Sequence, residues 1–220
     1  MKKNIILLMT AVFGVFVLAG CSEDDLKKTS AVLDWLTKNY LEPYNIDFKY
    51  RFKDVLGDMD YNLTPADYGQ AIKLAKLTLH LTLQVYDEVT GNRQFISENF
   101  PKIVHVIGSP AYNENNNIVL GVAEGGKMMT LYQVNIIDYL LETKNIDQLN
   151  ELFFKTMHHE FGHILHQTRP YSTDFNAVTP SSYVGDACFD TYRTDAAARQ
   201  AGFITRYSSK APDEDFVEQL

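Results

Sequence analysis

The chain has 220 residues with 28 acidic against 20 basic side chains, a formal net charge of −8, so a nucleic-acid partner is not expected on electrostatic grounds. Its 2 cysteines exclude a disulfide framework and an all-cysteine zinc site. What remains is enough chain for one domain, or two tightly packed lobes, around a sizeable core.

Met1 to Cys21 reads as a lipoprotein export signal, with Lys2 and Lys3 at its start, an apolar run from Ile5 to Leu18, and a small-residue cleavage site at Leu18-Ala19-Gly20-Cys21. The apolar run falls short of the roughly 20 residues that span a bilayer, and the cysteine after Ala-Gly resembles the bacterial lipobox. Residues 1–20 are therefore expected to be removed, Cys21 to be acylated, and 21–28 to form a tether that anchors the protein without a spanning helix. Ser22-Glu23-Asp24-Asp25 resembles the acidic export tag of surface lipoproteins, though four polar residues also make any flexible tether. With Cys21 lipidated, Cys188 stands alone.

Residues 29–220 then form the expected functional domain, with an N-lobe to about 169 and a smaller C-lobe from 170. Apolar residues from Leu26 to Tyr40 recur at helical steps, and Pro43 limits that helix to about Asn39. Ile46, Phe48, Tyr50 and Phe52 alternate with polar residues as in a half-buried strand. Thr64, as N-cap, and Pro65 open a long helix to about Val89, stopped at Gly91. His80, within it, reads as a core histidine. Lys102 to Gly108 is an expected strand carrying a structural His105, and Asn113 to Asn117 an expected polar loop. Ile118 to Val122 and Lys127 to Val134 flank Ala123-Glu124-Gly125-Gly126 as a hairpin. A short helix begins near Ile136, and a longer one runs from about Ile146 to Gln167, where Arg169-Pro170 stops it. Beyond it the periodicity weakens; a helix is expected from about Tyr192 to Ala201, and Pro212 with Asp213-Glu214-Asp215 marks another helix start.

The longer helix carries His159-Glu160-Phe161-Gly162-His163. A random chain of this size shows His-Glu-x-x-His roughly once in a hundred. Residues i and i+4 share a helical face, so His159 and His163 can present two imidazoles to one metal ion while Glu160 reaches the water beside it. That pattern points to a zinc hydrolase, which needs a third protein ligand. His166 competes for the place, but on a straight helix it stands roughly 10 Å along the axis from His159, too far for one ion, and packing or substrate contact suits it better. Glu214 is the stronger candidate. Glu218, one turn later on the same face, would accept the free ring N–H of a ligand histidine and fix its tautomer.

These residues resemble the gluzincin layout, His-Glu-x-x-His followed by Glu-x-x-x-Asp/Glu. The lipobox, Pro43-Tyr44-Asn45-Ile46, Lys49-Tyr50-Arg51-Phe52, the motif helix and Gly202-Phe203-Ile204-Thr205 resemble, over nearly the whole mature chain, the zinc metallopeptidase lipoproteins of Bacteroidetes. That resemblance implies an α+β, zincin-like fold: a small mixed sheet packed on long helices that include the motif helix, and a mostly helical or irregular C-lobe. It implies Zn2+ as cofactor, a peptide or protein substrate, and an outer-membrane lipoprotein, with cell-surface exposure as one option, associated with a nutrient importer. A more distant likeness to the lethal-factor-like gluzincins implies that Tyr207, seven residues before Glu214, helps stabilise the oxyanion. Members of the lipoprotein family continue beyond the position of Leu220, so a frayed last turn and a poorly fixed Glu214 are expected.

The expected activity is peptide-bond hydrolysis by a zinc-activated water, with Glu160 as general base and the strand Lys127 to Val134 as an edge that aligns the peptide. Two rivals stay open: a zinc-containing lipoprotein that binds substrate without cleaving it, and a zinc hydrolase of a non-peptide bond.

Overall fold

The computed structural model describes residues 23–53, 56, 61–112, 118–179 and 182–219, without the side chains of 23–28 and 124. The expected export signal, Cys21, Ser22 and the loop Asn113 to Asn117 lie outside the described residues, while the backbone of the rest of the expected tether, 23–28, is helical. No described helix is long and apolar enough to cross a membrane.

The first helix, α1 (Glu23–Leu36), runs on through a π-type turn (Thr37–Leu41) into a last turn (Glu42–Tyr44). Pro43 does not stop it. It follows the π-type turn within that last turn, so the one N–H it withholds falls near the end of the helix, and the chain leaves only at Asn45, with φ of 55°. Ile46, Phe48 and Tyr50 are buried, but strand pairing is confined to β1 (Asp47–Lys49). The next helix begins later than Thr64-Pro65 suggested. Asp67 is its N-cap, accepting from Gln70 N at 3.1 Å. Pro65 instead bridges to Ile107, and Thr64 O accepts from Gly108 N. The rod consists of α2 (Tyr68–Thr78), a π-type turn (Leu79–Leu83) and α3 (Gln84–Thr90). His80 lies on its exposed face, 2.7 Å from Gln84 Oε1, and is not a core residue.

After α4 (Gln94–Asn99) come β2 (Ile103–Val106), β3 (Ala111–Tyr112), β4 (Ile118–Val119), β5 (Gly121–Glu124) and β6 (Met128–Leu131). The four-stranded sheet has the order β1-β2-β6-β5, parallel except for the β5–β6 hairpin, while β3 and β4 pair separately. Gly125 and Gly126 turn the hairpin at φ of 55° and 69°, a left-handed conformation that glycine adopts freely. One expectation is reversed here. Met128–Leu131 is paired on both sides, so within the hairpin the edge strand is β5, and β1 is the edge at the other side of the sheet. The side chains of Val104, Val106, Met129 and Leu131 join the main core, while Ile107 and Tyr132 belong to a smaller cluster. His105 is fully buried and 6.1 Å from the Phe52 ring, and burial pushes its pKa down, which keeps it neutral.

A 3-10 turn (Val134–Ile136) and α5 (Ile137–Glu142) lead to the motif rod. It comprises α6 (Ile146–Leu149), capped by Asn145, a π-type turn (Asn150–Lys155) and α7 (Thr156–Thr168). Met157, Phe161 and Ile164 form the buried face of α7. Phe161 is ringed by Tyr86, Phe95 and Phe100 at 5.2, 6.0 and 5.0 Å between centroids, a cluster that fixes the roll of the helix. Short elements follow: α8 (Cys188–Thr191), α9 (Asp195–Gln200), capped by Thr194, and α10 (Pro212–Glu218). The single helix expected from Tyr192 to Ala201 is thus shorter, because the Thr194 hydroxyl takes the Ala197 N–H and starts it there.

β5 passes so close to α7 that a Cβ on Gly121 would stand 2.6 Å from Thr156 Cγ2. Gly121→Ala is expected to cost about 1–3 kcal/mol through overpacking, read as a lower urea midpoint. An unchanged midpoint would mean that β5 does not depend on this approach.

Candidate metal centre

α7 and α10 bring three donors to one point. His159 Nε2 lies 3.0 Å and His163 Nε2 3.1 Å from the same oxygen, Glu214 Oε2, and the two ring nitrogens are 3.1 Å apart. The i,i+4 spacing on α7 stacks the two rings on one face, edge to face at 4.8 Å. Pro212 and the acids that follow it start α10 favourably at its positive end, and its first turn delivers Glu214. Among the described residues this trio is the group of metal-ligating side chains close enough to hold an ion.

The chemistry of the trio asks for a cation. His159 Nδ1 is 3.2 Å from Glu218 Oε1, and an ionised carboxylate only accepts, so the ring hydrogen belongs on Nδ1. A neutral His159 then points the lone pair of Nε2 at the lone pairs of Glu214 Oε2. A proton or a metal ion must sit between them. A tetrahedral zinc ion with bonds of about 2.0–2.1 Å separates its ligand atoms by about 3.3 Å, and the observed edges of 3.0 to 3.1 Å need only a slight spreading. The residues fit zinc.

Outer partners hold two of the three donors, His159 through Glu218 and Glu214 through Tyr207 and Lys210. Glu218 accepts from Thr205 Oγ1 at 2.8 Å and lies 3.5 Å from Lys155 Nζ. Glu214 Oε1 accepts from Tyr207 Oη at 3.0 Å and Lys210 Nζ at 3.1 Å. Far from being loosely held at a frayed end, the Glu214 side chain is only 14% exposed. Glu160 Oε2 accepts from Ala123 N of the edge strand at 3.1 Å. A cleft of about 990 Å³ opens over these groups, lined among others by Ile118, Gly121, His159, Glu160, Tyr207 and Lys210.

Electrostatics follow from this packing. Burial lowers the His159 pKa, but hydrogen bonds to Glu214 and Glu218 outweigh it and, with no metal bound, carry the ring up to about 9. Burial raises Glu214, yet bonds from His159, His163 and Lys210 hold it well below the usual carboxylate range. Glu160 moves the other way: burial pushes it up, against the pull of His159 and His163. Burial and the neighbouring Glu214 push Tyr207 up to about 12, so its hydroxyl keeps its hydrogen at neutral pH.

Of the residues singled out in the sequence, His159, Glu160, Tyr207 and Glu218 line this cleft, and His163 and Glu214 meet His159 beside it. His166 does not. It stacks on Tyr171 at 4.3 Å, lies 3.7 Å from Asp213 Oδ1 and accepts from Tyr171 N, so it packs α7 against the start of α10 instead of serving the donors. Sequence reasoning missed Lys210, Lys155, Thr205 and the Ala123 N–H. Lys210 had a signal, since it stands four residues before Glu214, but Pro212 between them argues against a continuous helix.

These features describe a mixed α+β protein in which two histidines and a carboxylate stand close enough together to hold one metal ion. Residues 25–220 match the family described as "Putative zinc-binding metallo-peptidase", and the chain belongs to that family. It is also similar, at 40% identity over 90% of this chain and 72% of the other, to the crystal structure of a putative zinc-binding metallo-peptidase from Bacteroides caccae, with a TM-score of 0.71. No curated protein matches the chain.

The raised His159 pKa gives a signed expectation. Its stabilising charge in metal-free protein is fully present below the ordinary value of 6.5 and lost as pH rises through about 9. Zinc requires the neutral ring. Metal-free protein is therefore expected to melt at lower temperature as pH rises toward 9, while zinc affinity, measured by chelator competition, rises over the same window.

Proposed function

We propose that the protein is a zinc-dependent peptidase of the gluzincin kind, in which His159, His163 and Glu214 hold the ion and Glu160 is the general base. The observation that carries this reading is the convergence of both Nε2 atoms on one Glu214 oxygen, with Glu160 on the same helix facing the same cleft. Zinc bound there supplies Lewis acidity, polarising a carbonyl and acidifying water.

The chain's own residues do the rest. Glu160, buried enough to have a raised pKa, takes a proton from the attacking water and returns it to the leaving amine nitrogen. The hydrogen on Tyr207 Oη can turn from Glu214 to the developing oxyanion. β5, the edge strand that is bonded to Glu160 through Ala123 N, offers its backbone to an extended peptide; this role passes to β5 from the buried strand Met128–Leu131. Glu218 keeps the His159 hydrogen on Nδ1 and its lone pair toward the ion. The same reading has Cys21 acylated, the protein anchored at the outer membrane, and its peptide substrates linked to a nutrient importer.

Glu160→Gln is expected to retain zinc, measured by metal analysis, and to lose about 10²–10⁴-fold in peptide cleavage, measured on a mixed peptide library. Cleavage at the wild-type rate would refute the role of Glu160. Zinc uptake by the wild-type chain without any cleavage would favour the substrate-binding alternative.

A further inference from the structure

A carboxylate can meet a cation through one oxygen or through both, and its outer hydrogen bonds decide which. Glu214 is divided between its two oxygens. Oε2 faces the ring nitrogens of His159 and His163, while Oε1 accepts from Tyr207 Oη at 3.0 Å and from Lys210 Nζ at 3.1 Å. Two donors occupy the two principal acceptor directions of Oε1.

Lys210 ties this arrangement together. Its ammonium also donates to Tyr207 Oη at 3.1 Å and lies 5.0 Å from the centre of the Tyr207 ring. One side chain thus holds the carboxylate directly and orients the phenol that holds it too. Its backbone is anchored independently: Lys210 N donates to Tyr207 O at 2.9 Å, and Lys210 O accepts from Gly185 N at 3.1 Å. The side chain is half-buried, lines the cleft and has no counterpart in the motif that identifies the site.

We propose that Lys210 is a positioning residue of the metal centre: by occupying Oε1, directly and through Tyr207, it makes Glu214 a one-oxygen ligand and keeps a coordination position open toward the cleft. The inference rests on the reading that the three-donor group holds zinc. It does not require the protein to cleave any particular peptide. Without the ammonium, Tyr207 alone guards Oε1, with one hydrogen and no charge, and the second oxygen is free to swing onto the ion. An added ligand enlarges the field splitting of a d⁷ ion and weakens its visible bands.

The test is cobalt substitution in the full chain. Wild-type protein loaded with Co(II) is expected to show the strong visible bands of a four-coordinate ion. In Lys210→Met these are expected to weaken and move to shorter wavelength, with turnover down about 10–100-fold, and Lys210→Arg is expected to restore the wild-type spectrum. Circular dichroism of the metal-free variants checks that each folds. If Lys210→Met does not fold, Tyr207→Phe, which removes a single hydroxyl, is expected to show a smaller shift in the same direction. Wild-type bands in the folded Lys210→Met variant, or in Tyr207→Phe where that variant carries the test, overturn this inference alone. A wild-type chain that binds neither zinc nor cobalt overturns both it and the function on which it rests.

Discussion

The Nε2 lone pair of a neutral His159 and the lone pairs of Glu214 Oε2 share a space in which they face one another, with His163 Nε2 beside them. That confrontation is unfavourable unless a positive charge relieves it, so the apposition of α7 and α10 is coupled to whatever cation the site holds. Without a metal, a proton on His159 does the work, which is why that ring is held up at about 9. Zinc would replace a point of titration with a fixed bond, and the packing of α10 would then depend on metal as well as on apolar contacts. The C-terminal segment contributes Val217 to the interior and stacks Phe216 on Tyr171, but its charged face is organised around this one point.

Support for the donors reaches outward in layers. Glu218 fixes the hydrogen of His159 and is fixed by Thr205 and Lys155. On the opposite side of α7, His158 meets the Tyr86 hydroxyl at 2.9 Å, and Phe161 sits inside an aromatic ring of neighbours. The same helix is therefore clamped by apolar packing behind and by charge in front. A helix held on both sides cannot roll, which keeps two flexible imidazoles aimed at one oxygen.

The sequence disclosed some of this and hid the rest for identifiable reasons. His159 and His163 were legible as neighbours because helical geometry alone makes i and i+4 share a face. Glu214 and Glu218 were legible as a pair on the same ground, but the approach of Glu214 across 51 and 55 residues to the two histidines is tertiary, and only chemical need suggested it. Lys210 was hidden behind Pro212, which breaks the helical rule that would have paired it with Glu214. Thr64-Pro65 looked like a helix start, yet Asp67 three residues on is a better cap and freed the pair to bridge toward β2. The alternating pattern of the hairpin strands could not say which one lay outside, because strand order depends on the crossover from β2 to β6, which no local pattern encodes.

Among the described residues, three helical rods each carry one π-type turn: Thr37–Leu41, Leu79–Leu83 and Asn150–Lys155. In the motif rod that turn lies between the capped entry at Asn145 and the histidines. A π-type turn absorbs one surplus residue, and one residue rotates everything beyond it by about 100°. The angular setting of His159 and His163 relative to the aromatic socket and to Glu214 is therefore written in chain length upstream as much as in the motif itself. Two sequences with identical motifs but one residue's difference in that stretch would point their imidazoles in different directions, so the count of residues, and not only their identity, is part of what aims this helix at Glu214.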